Sequence, residues 1–208
     1  MVSDKPTVFI VDDDPAVRDS LQWLVESVNL PVKAFASGME FLDSEAPNSS
    51  GCLILDIRMP GMSGIDVFEE LKSMGAALPV VFLTGHGDVH LAVRAMKAGA
   101  FDFVEKPFND QVLLDLVQYA IRYDSERASE KVWIDEIKNR LTGLTSRERE
   151  VLDGVVGGKS NKIIARDLGL SEKTIEFHRS KMMEKMDASS LANLIKMVTI
   201  VEKSMERA

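Results

Sequence analysis

Apolar and polar residues follow one another along the first 124 residues in a pattern that alternates strands with helices. Short apolar runs between turn residues predict buried strands at 7–11, 32–35, 52–55, 79–84 and 101–105. Apolar positions at helical spacing predict helices at 15–28, after Ser37, and at 64–74, 88–98 and 109–123. Asp14 before Pro15 is a typical start for the first of these helices. Serial strand–helix units predict an α/β fold with a five-stranded, doubly wound parallel sheet.

The remaining residues show only helical spacing. Residues 125–141 contain no helix breaker and predict a helical linker, with a frayed spacer as the alternative. In this linker one apolar stripe is predicted at Val132, Trp133, Ile137 and Leu141. We therefore divide the chain into a first domain at 1–124, the linker at 125–141, and a second domain at 142–208.

The second domain has the pattern of an all-α, four-helix fold. Thr145 and Glu148 are spaced as a capping box at the start of its first helix. Further helices are predicted at 161–168, 172–186 and 190–203. The second and third helices are short, are joined by a turn containing Gly169, and the later one is basic, which is typical of a helix-turn-helix.

Charge is distributed unevenly between the two predicted domains. Residues 1–124 contain 9 Lys and Arg against 19 Asp and Glu, a net charge of −10, whereas residues 145–208 contain 12 against 10, a net charge of +2. This asymmetry predicts two modules with different partners. The single cysteine, Cys52, excludes an internal disulfide. We find neither a secretory signal nor an apolar run long enough for a membrane span, so we expect a cytoplasmic protein without membrane contact.

Polar and charged side chains stand at the ends of four predicted strands. Asp12 and Asp13 follow the first strand, Asp56 follows the third, Thr84 ends the fourth, and Lys106 follows the fifth. Because the carboxyl ends of parallel strands meet at one edge of a sheet, we expect these side chains to share one crevice. Solvated turns and a helix cap are the structural alternatives, and the joint occurrence of the five residues argues against them.

Clustered carboxylates suit a magnesium-dependent phosphoryl acceptor. Three carboxylates raise the pKa of one another, and a divalent cation removes that repulsion. An Asp carboxylate can accept a phosphoryl group covalently. The predicted acceptor is Asp56, with Lys106 offsetting the added charge and the Thr84 hydroxyl donating to a phosphoryl oxygen. The predicted cofactor is Mg²⁺, with Mn²⁺ as a substitute.

The segments "FIVDDDPAVR", "LILDIRMPGMSGID", "VVFLTGHGD" and "MKAGAFDFVEKPF" resemble the flavodoxin-like receiver domain of two-component response regulators. The resemblance covers about residues 6–124. It implies that Asp56 takes phosphate from a sensor histidine kinase and that Asp12, Asp13 and the backbone carbonyl of Arg58 complete the metal site. It further implies that Thr84 and Phe103 form a switch pair and that the bond from Lys106 to Pro107 is cis. The receiver would catalyse only its own phosphorylation and dephosphorylation, so the chain is not otherwise expected to be an enzyme.

Residues 142–206 resemble the LuxR/NarL-type DNA-binding domain, and the whole arrangement is similar to the FixJ subgroup of response regulators. On the predicted helix 172–186, Ile175, Met182 and Met186 fall at core spacing. Candidate contacts to DNA phosphates are Lys162, Thr174, Arg179 and Lys181. Candidate contacts to base edges are Glu176, Phe177 and Ser180, because they face away from the core positions. A solvated helix face is the alternative for any one of them.

Dimerisation and polymerase contact complete the predicted function. A net charge of +2 predicts weak nonspecific DNA binding, so we expect a phosphorylation-dependent homodimer on promoter DNA. The residues after the linker are too few for an ATPase module, so we expect the protein to recruit or block RNA polymerase. The predicted dimer face is formed by helix 88–98 and strand 101–105. The apolar stripe of helix 190–203, around Val198 and Val201, is predicted to join the two DNA-binding domains.

Competing functions are a phosphatase with an aspartyl nucleophile and a DNA-binding protein that ignores phosphate. The phosphatase pattern D-x-D-x-T is absent after the first strand, and the complete set of pocket residues argues against the second alternative. Metal binding by His86 and His90 is not expected, because no other Cys or His lies near them in the sequence.

Overall fold

Five parallel strands form one sheet in the order β2-β1-β3-β4-β5. The computed structural model describes residues 5–85 and 89–206, so His86 lies outside the described residues. The strands are β1 (Thr7–Val11), β2 (Val32–Phe35), β3 (Gly51–Asp56), β4 (Val80–Thr84) and β5 (Asp102–Glu105). This confirms the predicted parallel sheet and places β5 at an edge. The order reverses direction next to β1, so the carboxyl ends of β1 and β3 flank the crevice in which such folds bind ligands.

Helices cover both faces of the sheet. The helices of this part are α1 (Pro15–Glu26), α2 (Gly38–Leu42), α3 (Gly64–Ser73), α4 (Val89–Lys97) and α5 (Asp110–Thr142). Alternate residues of the central strands face opposite sides: Leu53 and Leu55 pack with α2, α3 and α4, whereas Cys52 and Ile54 pack with α1 and α5. All four side chains are fully buried. Such two-sided burial is the reason that β3 is a continuous apolar run ending at the first acid.

The start of α3 is held tightly against the end of β3. Ser63 caps α3 in a reciprocal capping box with Asp66. The backbone N–H of Gly64 donates to the carbonyl oxygen of Ile57 at 3.0 Å. A side chain at Gly64 would collide with the backbone carbonyl of Asp56. Glycine here therefore lets the loop after the third strand close against the residue that carries the predicted phosphoacceptor.

Helix α5 is longer than any helix that the sequence pattern predicts. It is continuous from Asp110 to Thr142 and includes both the predicted helix 109–123 and the predicted linker 125–141. The chain forms two compact units that meet within this helix, at Ala128 and Ser129. The predicted domain limits at 124 and 141 remain predictions, because α5 passes through both of them.

The second unit is an all-α bundle built around the end of α5. Its other helices are α6 (Ser146–Val156), α7 (Asn161–Leu168), α8 (Glu172–Met186) and α9 (Leu191–Glu206). Thr145 and Glu148 form the predicted capping box. Gly169 adopts the left-handed conformation that ends α7, and Ser171 caps α8 two residues later. This tight turn is the one that the helix-turn-helix pattern predicts.

Two predicted apolar surfaces are wrong. Val132 is 60% exposed, whereas Ile137 is fully buried in the second core, so the predicted stripe on the linker begins at Trp133. On α9, Val198 and Val201 are buried in the same core and cannot join two DNA-binding domains. Both valines belong to the face of α9 that completes the core shared with α6, α7 and α8, together with Leu194 and Met197. Within the described residues, no helix is both long and apolar enough to cross a membrane.

Candidate functional site

One lysine joins two buried carboxylates at the carboxyl edge of the sheet. The Lys106 Nζ donates to Asp12 Oδ2 at 2.8 Å and to Asp56 Oδ1 at 2.7 Å. Asp12 is 2% exposed and Asp56 is 7% exposed. The three residues are far apart in the chain and meet because β1, β3 and β5 end at the same edge. The predicted crevice is therefore present, with these three residues at its centre.

Backbone groups orient the two carboxylates further. Asp56 Oδ2 accepts the N–H of Arg58 at 2.7 Å, so both oxygens of Asp56 have a fixed donor. Asp12 Oδ1 accepts the N–H of Asp14 at 2.9 Å. Arg18, which the sequence reasoning missed, donates from Nη1 to the carbonyl oxygen of Asp12 at 2.7 Å. Its signal was its place one turn into the helix that follows the acidic run.

Burial and charge oppose each other at this site. Burial raises the pKa of Asp56, and the charge of Asp12 raises it further, whereas the hydrogen bonds and charge of Lys106 lower it only in part. Burial alone would lower the pKa of Lys106, but its bonds to Asp12 and Asp56 raise it overall. Lys106 thus remains charged at neutral pH. The site holds an oxygen nucleophile beside a permanent cation.

The other predicted pocket residues surround this centre. Thr84 is buried at the end of β4, and Phe103 is half-buried in β5 against the core that contains α3 and α4. Asp13 and the side chain of Arg58 lie on the surface, where both line an open pocket of about 580 Å³ beside α3 and α4. The peptide bond between Lys106 and Pro107 is cis, as predicted.

The residues of the crevice fit a magnesium ion. Two buried carboxylates share one lysine, which leaves excess negative charge for a cation to offset. Among the described residues, no three His, Cys, Asp or Glu side chains lie together as a ligand cluster. Mg²⁺ needs no such cluster, since it binds through one or two carboxylates and keeps several waters.

Helix α8 presents a polar surface that its core residues do not use. Ile175, Met182 and Met186 are buried as predicted. Most of the candidate DNA contacts are exposed, and Phe177 is 60% exposed. The exposed candidates are Lys162 on α7 and Glu176, Phe177, Ser180 and Lys181 on α8. Lys181 pairs with Glu184 at 2.8 Å, which raises the pKa of the lysine.

Two candidate phosphate contacts are half-buried and held by neighbours. The Thr174 hydroxyl lies 2.8 Å from the hydroxyl of Ser171, the cap of α8. The Arg179 guanidinium donates to Asn161 Oδ1 at 3.0 Å, which links α8 to the first residue of α7. The sequence reasoning missed Asn161, because its position after the cap of α7 is no signal for a contact 18 residues away. This pairing keeps a cation beside the start of α7.

Two family models match separate parts of the chain. The response regulator receiver domain matches residues 8–118, and the luxR family of bacterial regulatory proteins matches residues 142–198. A phosphoacceptor-type pocket on a doubly wound sheet, followed by a helix-turn-helix, defines a two-component response regulator. The chain belongs to this family, as a FixJ-like, phosphorylation-controlled, DNA-binding transcriptional regulator.

Relatives align with nearly the whole chain. The transcriptional regulatory protein FixJ of Azorhizobium caulinodans is 45% identical over 193 residues, which are 93% of this chain and 92% of the relative. The FixJ protein of Bradyrhizobium diazoefficiens is 42% identical over 93% of this chain and 94% of its own. Among solved structures, the response regulator StyR has a TM-score of 0.82 at 44% identity, covering 94% of this chain and 98% of that one. Family membership decides against the phosphatase alternative.

Proposed function

We propose that Asp56 accepts a phosphoryl group from a sensor histidine kinase and that this modification controls DNA binding through α8. The observation that carries the proposal is the placement of Lys106 between the buried carboxylates of Asp12 and Asp56. A structural ion pair would need only one carboxylate. A second buried acid beside the first adds repulsion, which a bound cation would offset. Two buried acids are therefore expected at a site that binds a cation together with a phosphoryl group.

The transfer requires the ionised form of Asp56. One carboxylate oxygen attacks phosphorus, a P–O bond forms, and the P–N bond of the phosphohistidine breaks as its imidazole leaves and takes a proton from solvent. Mg²⁺ (or Mn²⁺) would be held by Asp12, Asp56 and the carbonyl of Arg58, with Asp13 contacting it through one of the waters that the ion keeps, and it would offset charge on the phosphoryl oxygens. Lys106 is already within hydrogen-bond distance of the acceptor, so its ammonium group can follow the new negative charge.

Thr84 and Phe103 would convert the modification into a change of surface. Thr84 is buried beside the acceptor strand, since β3 and β4 pair directly. Its hydroxyl would donate to a phosphoryl oxygen and leave space for the Phe103 ring to turn inward. Because packed cores have discrete arrangements, this exchange biases two packings of α4 and β5 rather than producing a gradual shift.

The face formed by α4 and β5 would then pair with a second copy. Strand β5 is the edge of the sheet, and among the described side chains of α4 the large apolar ones of Val93 and Met96 are exposed, at 44% and 37%. Burying them between two copies would contribute free energy in proportion to the apolar area removed from water. Dimerisation would bring two α8 helices to two half-sites of promoter DNA, about one helical turn apart.

The remaining partners follow from this role. The family models that match the chain are a receiver domain at residues 8–118 and a luxR-type DNA-binding domain at residues 142–198, and neither drives polymerase by nucleotide hydrolysis. We therefore propose that the protein contacts RNA polymerase directly to recruit or block it. We propose a cytoplasmic location for the protein, because it would act on promoter DNA.

The test is phosphorylation by acetyl phosphate in the presence of Mg²⁺, followed by intact-mass measurement. We expect the wild type to gain one phosphoryl group and Asp56→Asn to gain none. The exposed acid Asp43 provides a control, and Asp43→Asn should be labelled like the wild type. A chelator should prevent labelling of the wild type. Full labelling of Asp56→Asn would overturn the assignment.

A second measurement separates control by phosphate from constitutive DNA binding. DNA selected from random sequences by the phosphorylated protein should bind the phosphorylated form more tightly than the unmodified form. Equal affinity of the two forms would favour the alternative in which the receiver ignores phosphate.

A further inference from the structure

A buried carboxylate on α5 contacts the start of the strand that carries Asp56. Asp124 Oδ2 accepts the hydroxyl of Ser50 at 2.7 Å and the backbone N–H of Gly51, the first residue of β3, at 3.0 Å. Gly51 has a φ of +142°, and a side chain there would collide with the backbone oxygen of Thr7. The geometry that aims this N–H at Asp124 is thus available only to glycine.

The same turn of α5 contacts the starts of the next two strands. Arg127 donates from Nη1 to the carbonyl oxygen of Ala77, in the loop before β4, at 3.3 Å. The ring of Tyr123 lies 5.4 Å from the ring of Phe101, which directly precedes β5. We name Tyr123, Asp124 and Arg127 the α5 clamp. It joins one helical turn to the amino-terminal ends of three strands whose carboxyl ends form the phosphorylation site.

The clamp is the last part of α5 that is attached to the receiver unit by a buried residue. Asp124 is buried, whereas every residue from Ser125 to Val132 is exposed. The next residue, Trp133, packs against the core of the second unit. Two turns of helix without buried residues therefore separate Asp124 from the first residue of α5 that packs in the DNA-binding unit.

Asp124 is a buried acid that lies outside the phosphorylation site and outside any helix cap. In the described part of the chain, the buried acids are Asp12, Asp56, Asp124 and Glu148. The first two belong to the phosphorylation site, and Glu148 belongs to a capping box. Asp124 lies in the interior of a helix, where it caps nothing, and burial of a carboxylate costs free energy unless donors satisfy it. Burial, with the added charge of Asp124, raises the pKa of the neighbouring Cys52 thiol to about 12.

We propose that Asp124 is a positioning residue that fixes the exit of α5 from the receiver and thereby converts receiver dimerisation into paired DNA binding. This inference rests on the proposed function. With the clamp closed, the helix leading to each DNA-binding unit starts from a fixed point. With the clamp broken, the turn frays and introduces a flexible segment into the helical connection, which lowers the effective concentration of the second unit at its half-site.

The test compares Asp124→Ala and Ser50→Ala with Asp115→Ala, a control on an exposed position of the same helix. Each variant is phosphorylated with acetyl phosphate and Mg²⁺, and its affinity is measured for DNA with one and with two half-sites. We expect normal phosphorylation, normal dimerisation in sedimentation and normal affinity for one half-site. The gain in affinity from the second half-site should fall about fivefold or more in Asp124→Ala, less in Ser50→Ala, and not at all in Asp115→Ala.

A purely structural role would instead change phosphorylation or single-site binding together with stability. If Asp124→Ala fails to fold, Ser50→Ala, which removes one of the two donors to Asp124, provides the same comparison. Amide hydrogen exchange is a readout that does not depend on phosphate. It should increase in residues 120–132 of Asp124→Ala and remain unchanged in Asp115→Ala.

The possible failures are distinguishable. A wild type that gains no DNA affinity on phosphorylation would contradict the proposed function, while faster exchange in Asp124→Ala would still support the clamp. Unchanged exchange together with an undiminished two-site gain in Asp124→Ala would overturn the clamp and leave the proposed function intact.

Discussion

The surroundings of Asp56 disfavour the ionised form of its carboxyl group. Burial raises the pKa of this carboxyl above its ordinary value of 3.8, and Lys106 compensates only in part. The strand end is buried because the residues before it are packed on both faces of the sheet. The proposed acceptor is therefore held in a fixed place, at a cost in stability.

We predict that Asp56→Asn unfolds at a higher temperature than the wild type at neutral pH, because an amide carries no buried charge. A raised folded-state pKa means that ionised Asp56 destabilises the fold above that pKa, and that this penalty is lost as pH falls toward 3.8. The difference in melting temperature should therefore shrink on acidification. Calorimetry at several pH values checks this, and a difference that is absent at neutral pH or grows in acid would contradict it.

At the scale of elements, the contact between β3 and α3 controls the shape of the site. Gly64 allows the first turn of α3 to lie against the carbonyl of Asp56, and the capping box of Ser63 and Asp66 fixes where that turn begins. The loop between the two elements also supplies the N–H of Arg58 that orients the acceptor. A small displacement of α3 would thus move the donors of the pocket.

We predict that Gly64→Ala destabilises the protein by about 2–4 kcal/mol, since the new methyl group meets backbone rather than a flexible side chain. Phosphorylation by acetyl phosphate should also be slower at temperatures where the variant is folded. Ser73→Ala, on the exposed end of α3, is the control and should change stability by less than about 0.5 kcal/mol. Urea unfolding and a labelling time course measure the two effects. Normal labelling in a destabilised Gly64→Ala would separate stability from site geometry and contradict the second expectation.

The helix-turn-helix pair offers a separate test at the same scale. Asn161 holds the Arg179 guanidinium beside α7, whereas Glu176 is exposed on α8. We predict that Arg179→Ala weakens binding to all DNA sequences and reduces the slope of log affinity against log salt by about 1. Glu176→Ala should change the preference among sequences and leave that slope unaltered. Lys203→Ala, a cation on α9 away from α8 in the sequence, controls for net charge, and an equal slope change there would refute a specific phosphate contact.

For the whole molecule, the proposed phosphorylation-dependent dimer requires a surface that is apolar enough to pair. The exposed side chains of Val93 and Met96 on α4 supply such a surface beside the edge strand. On α9 the valines at 198 and 201 are buried, which removes that part of the helix as an interface. The exposed large apolar residues described on α9 are Leu191, Ile195 and Met205.

We predict that Val93→Asp is phosphorylated but stays monomeric in sedimentation, because a charge would have to be buried at the interface. Its affinity for two-half-site DNA should fall toward that for a single half-site. Met74→Glu places a charge at a comparably exposed apolar position after α3 and should dimerise normally. Phosphorylated Val93→Asp that still sediments as a dimer would exclude the α4 face.

The sequence alone determined the fold class and the centre of the candidate site. The carboxyl ends of parallel strands lie at one edge of a sheet regardless of their side chains. The sequence could therefore place four residues together, namely Asp12, Asp56, Thr84 and Lys106. The bounds of α7 and α8 also agree with the sequence pattern, since a cap and a glycine mark their ends locally. These signals act over a few residues and do not depend on which distant elements pack together.

Only the tertiary structure decided which polar and apolar side chains meet across long separations in the chain. Asp124 and Ser50 are 74 residues apart, and Arg179 and Asn161 are 18 apart, so no local spacing relates them. The burial of Val198 and the exposure of Val132 likewise depend on which neighbouring helices cover each face. An apolar pattern specifies that a face should be covered, but the shape and packing of the assembled elements select what covers it.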